Sequence, residues 1–211
     1  MHSETLRCGL LGRTLSHSYS PAIHAQLAGY SYLLYEKEPE ELEGFLRSGE
    51  FDGLNVTIPY KKTVIPYCAE LSDTARAIGA VNTIVNKCGE LWGYNTDFAG
   101  METLLRSNRI ALSGRKVLIL GSGGTSRTAR YVVESAGGEA VIISRTGENN
   151  YQNLSRHADA RWIVNATPVG MYPNVDGCLL NLSDFPALSG VLDVVYNPFR
   201  TELLLRAEDC G

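Results

Sequence analysis

The segment that most constrains the fold is Lys116–Leu120, an apolar run that stops on Gly121-Ser122-Gly123-Gly124-Thr125-Ser126-Arg127 and continues into an amphipathic stretch. Strand, glycine turn and helix, in that order, is the context a dinucleotide fingerprint requires. Gly121 allows the tight turn. Gly123 removes the side chain that would keep the backbone from a pyrophosphate, and the free amides at the helix start then face the phosphates. The third glycine of the GxGxxG pattern is replaced by Ser126, and no Gly-Lys-Ser/Thr follows, so this is not a P-loop. The plain alternative is a tight strand-to-helix turn with no ligand.

The next strand candidate reaches Ile143-Ser144-Arg145-Thr146, about 20 residues after the glycines, where NAD sites place a carboxylate for the ribose 2′-hydroxyl. No Asp or Glu occurs from Val141 to Thr146. Arg145 can instead meet a 2′-phosphate, which favours NADP, unless it is simply a surface arginine.

Short apolar runs alternate with amphipathic stretches along the whole chain. Strands are expected at Leu6–Leu11, Tyr32–Tyr35, Gly53–Ile58, Ala80–Val85, Val117–Leu120, Ala140–Ile143, Trp162–Asn165 and Val191–Val195. Helices are expected at Ala22–Ala28 after Ser20-Pro21, at Pro39–Arg47, around Asp73–Ile78 before Gly79, at Phe98–Arg106 after Thr96-Asp97, and at Ser126–Ser135 before Gly137-Gly138. This alternation predicts an α/β protein with mostly parallel sheets. Lys87-Cys88-Gly89-Glu90 reads as a hairpin turn. The pattern restarts near Ser113-Gly114-Arg115-Lys116, with Phe98–Arg106 as the connector, so two domains are expected, at 1–98 and 99–211.

The first half carries its own polar set. In Gly53–Lys61, period two places Leu54, Val56 and Ile58 on one face and Asn55 and Thr57 on the other. Pro59 ends the strand, and Lys61 lies just past its C-terminal edge, where ligands bind in open α/β sheets. Asn82 and Thr83 interrupt another apolar strand, and Asn95-Thr96-Asp97 closes a third segment. Each could be an ordinary turn, cap or solvated residue. Their joint occurrence beside a nucleotide domain makes them candidates.

Composition narrows the rest. Of 211 residues, 44% are hydrophobic, enough for a core without disulfide staples. The net charge of −4 argues against a general nucleic-acid binder. The five cysteines form no metal-ligand spacing and read as thiols in a reducing cytosol. No metal is expected. No signal-peptide pattern opens the chain, and no run approaches the ~18 apolar residues of a membrane span. A cytoplasmic protein with no nucleic-acid or membrane partner is expected, as a monomer or homodimer.

At this point the chain resembles the shikimate dehydrogenase family, from about Cys8 to Leu204. Leu10–His24 resembles the family's HSxSPxxH opening, and Gly53–Lys61 its NVTxPxK segment. Gly79–Thr83 reads GAVNT and Asn95–Asp97 reads NTD. Gly121–Arg127 resembles GAGGASR, and Asn165–Met171 resembles NATxxGM. The resemblance implies an N-terminal α/β substrate domain and a Rossmann-type NADP-binding domain with a cleft between them. It also implies reversible NADPH-dependent reduction of 3-dehydroshikimate to shikimate. Carried over position by position, Ser18 and Ser20 would bind the substrate carboxylate, in keeping with the helix start they occupy. Thr57, Asn82 and Asp97 would bind ring hydroxyls. Lys61 would be the catalytic lysine, with Asp97 orienting it. Tyr196 would reach the substrate from the nucleotide domain. Gly121, Ser122, Gly123, Gly124 and Thr125, with Ser144, Arg145, Thr146 and Asn149, would hold the cofactor. Val194 would lie near the nicotinamide and Asp73 on the cofactor side. His17 and His24 read as packing or capping residues.

The chain departs from the family pattern in three places. Ser144 stands where the NRT motif has Asn, and Asn149 stands where a second basic residue often grips the 2′-phosphate. Both leave Arg145 more alone and imply weaker NADP selectivity. The chain also stops at Glu208-Asp209-Cys210-Gly211, before the family's terminal helix that returns to the first domain. A truncated, less stable and less active form is therefore expected. The alternatives are a quinate/shikimate dehydrogenase with relaxed NAD/NADP use and an inactive ligand-binding paralogue.

Overall fold

A computed structural model describes residues 6–16, 18–27 and 29–211. His17, and Ala28 at the end of the first expected helix, lie outside the described residues. The chain divides into two compact units, Met1–Asp97 and Phe98–Gly211.

The first unit is built on six strands, β1 Arg7–Gly12, β2 Ser31–Glu36, β3 Gly53–Val56, β4 Glu70–Leu71, β5 Thr83–Lys87 and β6 Glu90–Tyr94, in the order β2-β1-β3-β5-β6-β4. Its helices are α1 Ser20–Leu27, α2 Leu42–Ser48 and α3 Asp73–Ile78, and α4 Asp97–Ser107 begins at its last residue. The expected helix over Pro39–Arg47 is two pieces, a 3-10 turn at Pro39–Glu41 followed by α2.

This sheet is mixed, with three of its five pairs parallel, so the expectation of mostly parallel pairing holds with β5 as the exception. β1 runs parallel to β2 and β3, and β4 to β6, but β5 is antiparallel to both β3 and β6. The cause is local. Cys88 and Gly89 both take positive φ, 54° and 93°, and a two-residue turn of that kind joins only antiparallel strands.

One expectation is corrected, at Ile58. Leu54 and Val56 are core residues, each 2% exposed, whereas Ile58 is 58% exposed. β3 ends at Val56, and the Tyr60 amide donates to the Thr57 carbonyl at 2.9 Å. The alternation therefore stops two residues before Ile58. Leu11, Leu42, Leu46, Phe51 and Ile84 complete the centre of this core.

The second unit has four strands, β7 Lys116–Leu120, β8 Glu139–Ile143, β9 Trp162–Asn165 and β10 Gly190–Asp193, in the order β10-β9-β7-β8. All three pairs are parallel. Its two remaining helices are α5 Gly124–Ser135 and α6 Glu202–Asp209. Leu118, Leu120 and Ile143 pack in one cluster, while Val117, Ile119, Ala129 and Val133 pack in another. Burial on both faces is why β7 reads as an unbroken apolar run. β10 ends two residues earlier than expected because the Val195 amide turns to the Asp193 carboxylate instead of the neighbouring strand.

Candidate functional site

In the first unit three separated segments meet around one ion pair. Lys61 Nζ donates to Asp97 Oδ2 at 2.5 Å. The two side chains are 14% and 31% exposed, so the pair is much less open to water than the surface bridges of this chain. Asn82 Nδ2 donates to the other oxygen, Asp97 Oδ1, at 2.7 Å and to Thr96 Oγ1 at 2.9 Å. Asn82 Oδ1 accepts from the Thr96 amide at 2.8 Å. The Asp97 carboxylate thus has both oxygens engaged and sits in the first turn of α4, where the helix dipole favours negative charge. The Val81 amide donates to the Lys61 carbonyl at 2.7 Å and ties the lysine segment to the Asn82 segment.

Thr57 closes β3, its amide donating to the Leu11 carbonyl at 2.9 Å, and the turn after it delivers Lys61. Ser18 Oγ accepts from the Ser20 amide at 3.2 Å, which brings the two serines together at the start of α1. Asp73 is exposed, opens α3 behind the Ser72 cap, and makes no hydrogen bond to the Lys61 cluster among the described residues.

In the second unit the glycine turn has the shape its sequence requires. Gly121 has φ +105°, and a Cβ there would meet Thr167 Cγ2 at 2.9 Å and the Ala166 carbonyl oxygen at 3.1 Å. A Cβ on Gly123, the cap of α5, would meet nothing within 4 Å. The space over Gly123 is open, as a pyrophosphate lying on the helix start needs. Ser126, in the place of the third glycine, is 1% exposed, and its hydroxyl donates to the Gly121 carbonyl at 2.7 Å. That bond ties the helix to the turn. Ser122, Gly124 and Thr125 complete the loop and first turn.

Beyond β8 the chain folds on itself. The Ser144 amide donates to the Asn149 carbonyl at 3.2 Å, and the Asn149 side-chain oxygen lies 3.0 Å from His157 Nε2. Arg145 and Thr146 are exposed on this loop, and Arg145 forms no ion pair among the described residues. An exposed guanidinium without an ion-pair partner among the described residues, and with no carboxylate on its strand end, fits a 2′-phosphate.

Val194 and Tyr196 follow β10, and Tyr196 is 58% exposed. Their backbone is held by a knot that sequence reasoning missed. Asp193 Oδ1 accepts from Asn165 Nδ2 at 3.0 Å and from the Val195 amide at 2.9 Å, and Oδ2 accepts from Thr201 Oγ1 at 2.7 Å. Thr201 also caps α6. The available signal was a polar residue closing a wholly apolar strand, as Asn165 does. Among the described residues no group of three His, Cys, Asp or Glu side chains could hold a metal ion, and no helix is long and apolar enough to cross a membrane.

One unit with an all-parallel sheet and an open glycine turn, and another carrying a half-shielded Lys–Asp pair, define a two-domain α/β oxidoreductase with a Rossmann-type nucleotide domain. Residues 10–84 match the family signature described as shikimate dehydrogenase substrate binding domain. A shikimate dehydrogenase (NADP(+)) from Dehalococcoides mccartyi is 40% identical over 96% of this chain and 82% of its own length. The crystal structure of shikimate 5-dehydrogenase from Thermus thermophilus in complex with NADP(H) and shikimate is 32% identical. It superposes with a TM-score of 0.87 over 98% of this chain and 85% of that one. Quinate dehydrogenase from Corynebacterium glutamicum in complex with NAD is 28% identical, with a TM-score of 0.82 over 98% and 86%. The chain belongs to the shikimate dehydrogenase family.

Proposed function

We propose that this chain catalyses the reversible NADP(H)-dependent interconversion of 3-dehydroshikimate and shikimate, with Lys61 and Asp97 as its catalytic pair. The observation that carries the reading is the Lys61–Asp97 contact, shielded from water and buttressed by Asn82. When bound, the cofactor supplies or accepts the hydride. In the reducing direction the carbonyl oxygen becomes an alkoxide, which needs a nearby positive charge and a proton. The Lys61 ammonium provides both, and Asp97 holds it in place. Thr57, Asn82 and Asp97 meet the ring hydroxyls, so an analogue lacking one leaves polar groups unpaired. Ser18 and Ser20 take the carboxylate, and Tyr196 is a further substrate residue. Gly121–Thr125 take the pyrophosphate, Ser144–Asn149 the adenosine end, Val194 the nicotinamide, and Asp73 stands on the cofactor side.

The test is shikimate oxidation followed through reduced-nicotinamide absorbance, with NADP and NAD in parallel. Turnover with NADP at the higher kcat/KM is expected, and no turnover with either cofactor overturns the reading. Arg145→Ala is expected to lower kcat/KM for NADP by about tenfold or more, the scale of a lost charge-assisted hydrogen bond, and to leave NAD unchanged. An equal loss with both cofactors removes Arg145 from 2′-phosphate recognition. A second reading, quinate oxidation with NAD, is favoured by Asn149. Its side chain is engaged with His157, so Arg145 is left without a second cation. Quinate turnover with NAD exceeding shikimate turnover with NADP would select it.

A further inference from the structure

α1 is a helix without a buried residue; Ile23 and Leu27 are 54% and 68% exposed. Apolar burial therefore does not fix the position of its first residue, Ser20. What α1 packs against is β2, and the contact is aromatic. His24 lies one turn beyond Ser20, on the same helix face. Its ring stacks on Tyr32 with centroids 3.8 Å apart and planes 13° from parallel. His24 Nδ1 is itself held 2.5 Å from the Tyr30 hydroxyl.

The other end of Tyr32 reaches two groups. Its hydroxyl donates to Asn55 Oδ1 at 2.7 Å, and the Ser20 side chain lies beside it, near enough to ease its ionisation. Asn55 lies in the sheet between Leu10 of β1 and Thr83 of β5, on the face opposite Leu54 and Val56. A carboxamide has an acceptor end and a donor end, so pinning Oδ1 turns the Nδ2 hydrogens away from Tyr32. Ser18 Oγ already accepts from the Ser20 amide, which leaves the Ser18 hydroxyl proton to be given. The Asn55 amide held by Tyr32, the Ser20 hydroxyl beside it and the Ser18 hydroxyl next to Ser20 are a set of donors suited to a carboxylate. Burial pushes the Tyr32 hydroxyl up to about 12, so it stays a proton donor across any working pH.

We propose that Tyr32 is the positioning residue of the carboxylate subsite. Its hydroxyl aims the Asn55 amide and receives the Ser20 hydroxyl until an anion arrives, and the His24 ring clamps it. This rests on the reading above, in which Ser18 and Ser20 take the substrate carboxylate. It assigns to His24 the task of holding a helix start that no core residue holds.

The experiment is steady-state kinetics of Tyr32→Phe, which keeps the stacked ring and removes the hydroxyl, with shikimate and with shikimate methyl ester. Expected are a rise of about tenfold in KM for shikimate, kcat within about twofold, and an unchanged KM for NADP. With the ester, wild type and variant are expected to have nearly equal kcat/KM. An unchanged KM for shikimate, or the same loss with acid and ester, overturns the proposal. His24→Ala is the independent variant, expected to raise KM for shikimate while His24→Phe, which keeps the stack, restores it. Equal values for both His24 variants overturn the clamp. Failure of the wild type to oxidise shikimate removes the underlying reading as well, whereas wild-type turnover with an unmoved Tyr32→Phe KM overturns this inference alone.

Discussion

Lys61 carries its charge into a site where only 14% of its side chain meets water, and Asp97 accompanies it there. Removing the ammonium leaves the developing alkoxide without a proton source. Lys61→Ala is expected to lower kcat by about 100-fold or more, with a smaller change in KM, and near-normal turnover would remove Lys61 from the chemistry. Tyr32 makes a second prediction, in alkali. Its folded value is raised to about 12 from 10, so its stabilising contribution is complete below about pH 10 and is lost as pH rises toward 12. Urea midpoints at about pH 9 and about pH 11 are expected to differ less in Tyr32→Phe than in the wild type; an equal drop would contradict the sign. Lys61, Asn82 and Asp97 were legible because each ends or interrupts an apolar run. Tyr32 was not, because the bond that gives it a role crosses 23 residues.

Among the elements, the glycine turn separates conformational from ligand requirements. Gly121→Ala places a side chain at φ +105° against Thr167 and the Ala166 carbonyl, so a loss of about 1–3 kcal/mol is expected in denaturant unfolding. Gly123→Ala meets no neighbour and has φ −78°. Its stability is expected to be unchanged while KM for NADP rises several-fold. A Gly123→Ala protein with normal KM for NADP would show that the pyrophosphate does not lie over this residue. The turn, α5 and the Cys88-Gly89 hairpin were readable because glycine chemistry is local. The end of β3 before Ile58 was not, since it depends on where the partner strands stop.

The whole molecule has separate cores, one around Leu11, Leu54 and Ile84 and the others on the two faces of β7. Each unit holds one of the two tryptophans, Trp92 in the first and Trp162 in the second. In Trp92→Phe, fluorescence reports the nucleotide unit, and in Trp162→Phe the first. NADP at about 100 times its Kd stabilises what it binds by about 2.7 kcal/mol, so it is expected to raise the Trp162 transition more than the Trp92 transition; equal shifts would refute separate unfolding. The sequence alone determined most of the elements, though not β4 or α6, together with the two α/β halves, the glycine turn and the polar residues at strand ends. These follow from side-chain periodicity and turn preference, which act between near neighbours. The structure alone decided that Lys61 meets Asp97 across 36 residues, that Ser126 binds back to Gly121, that Asp193 gathers Asn165 and Thr201, and that His24 lies on Tyr32. Such pairings depend on sheet order and register, which are set when distant strands bury their apolar faces together.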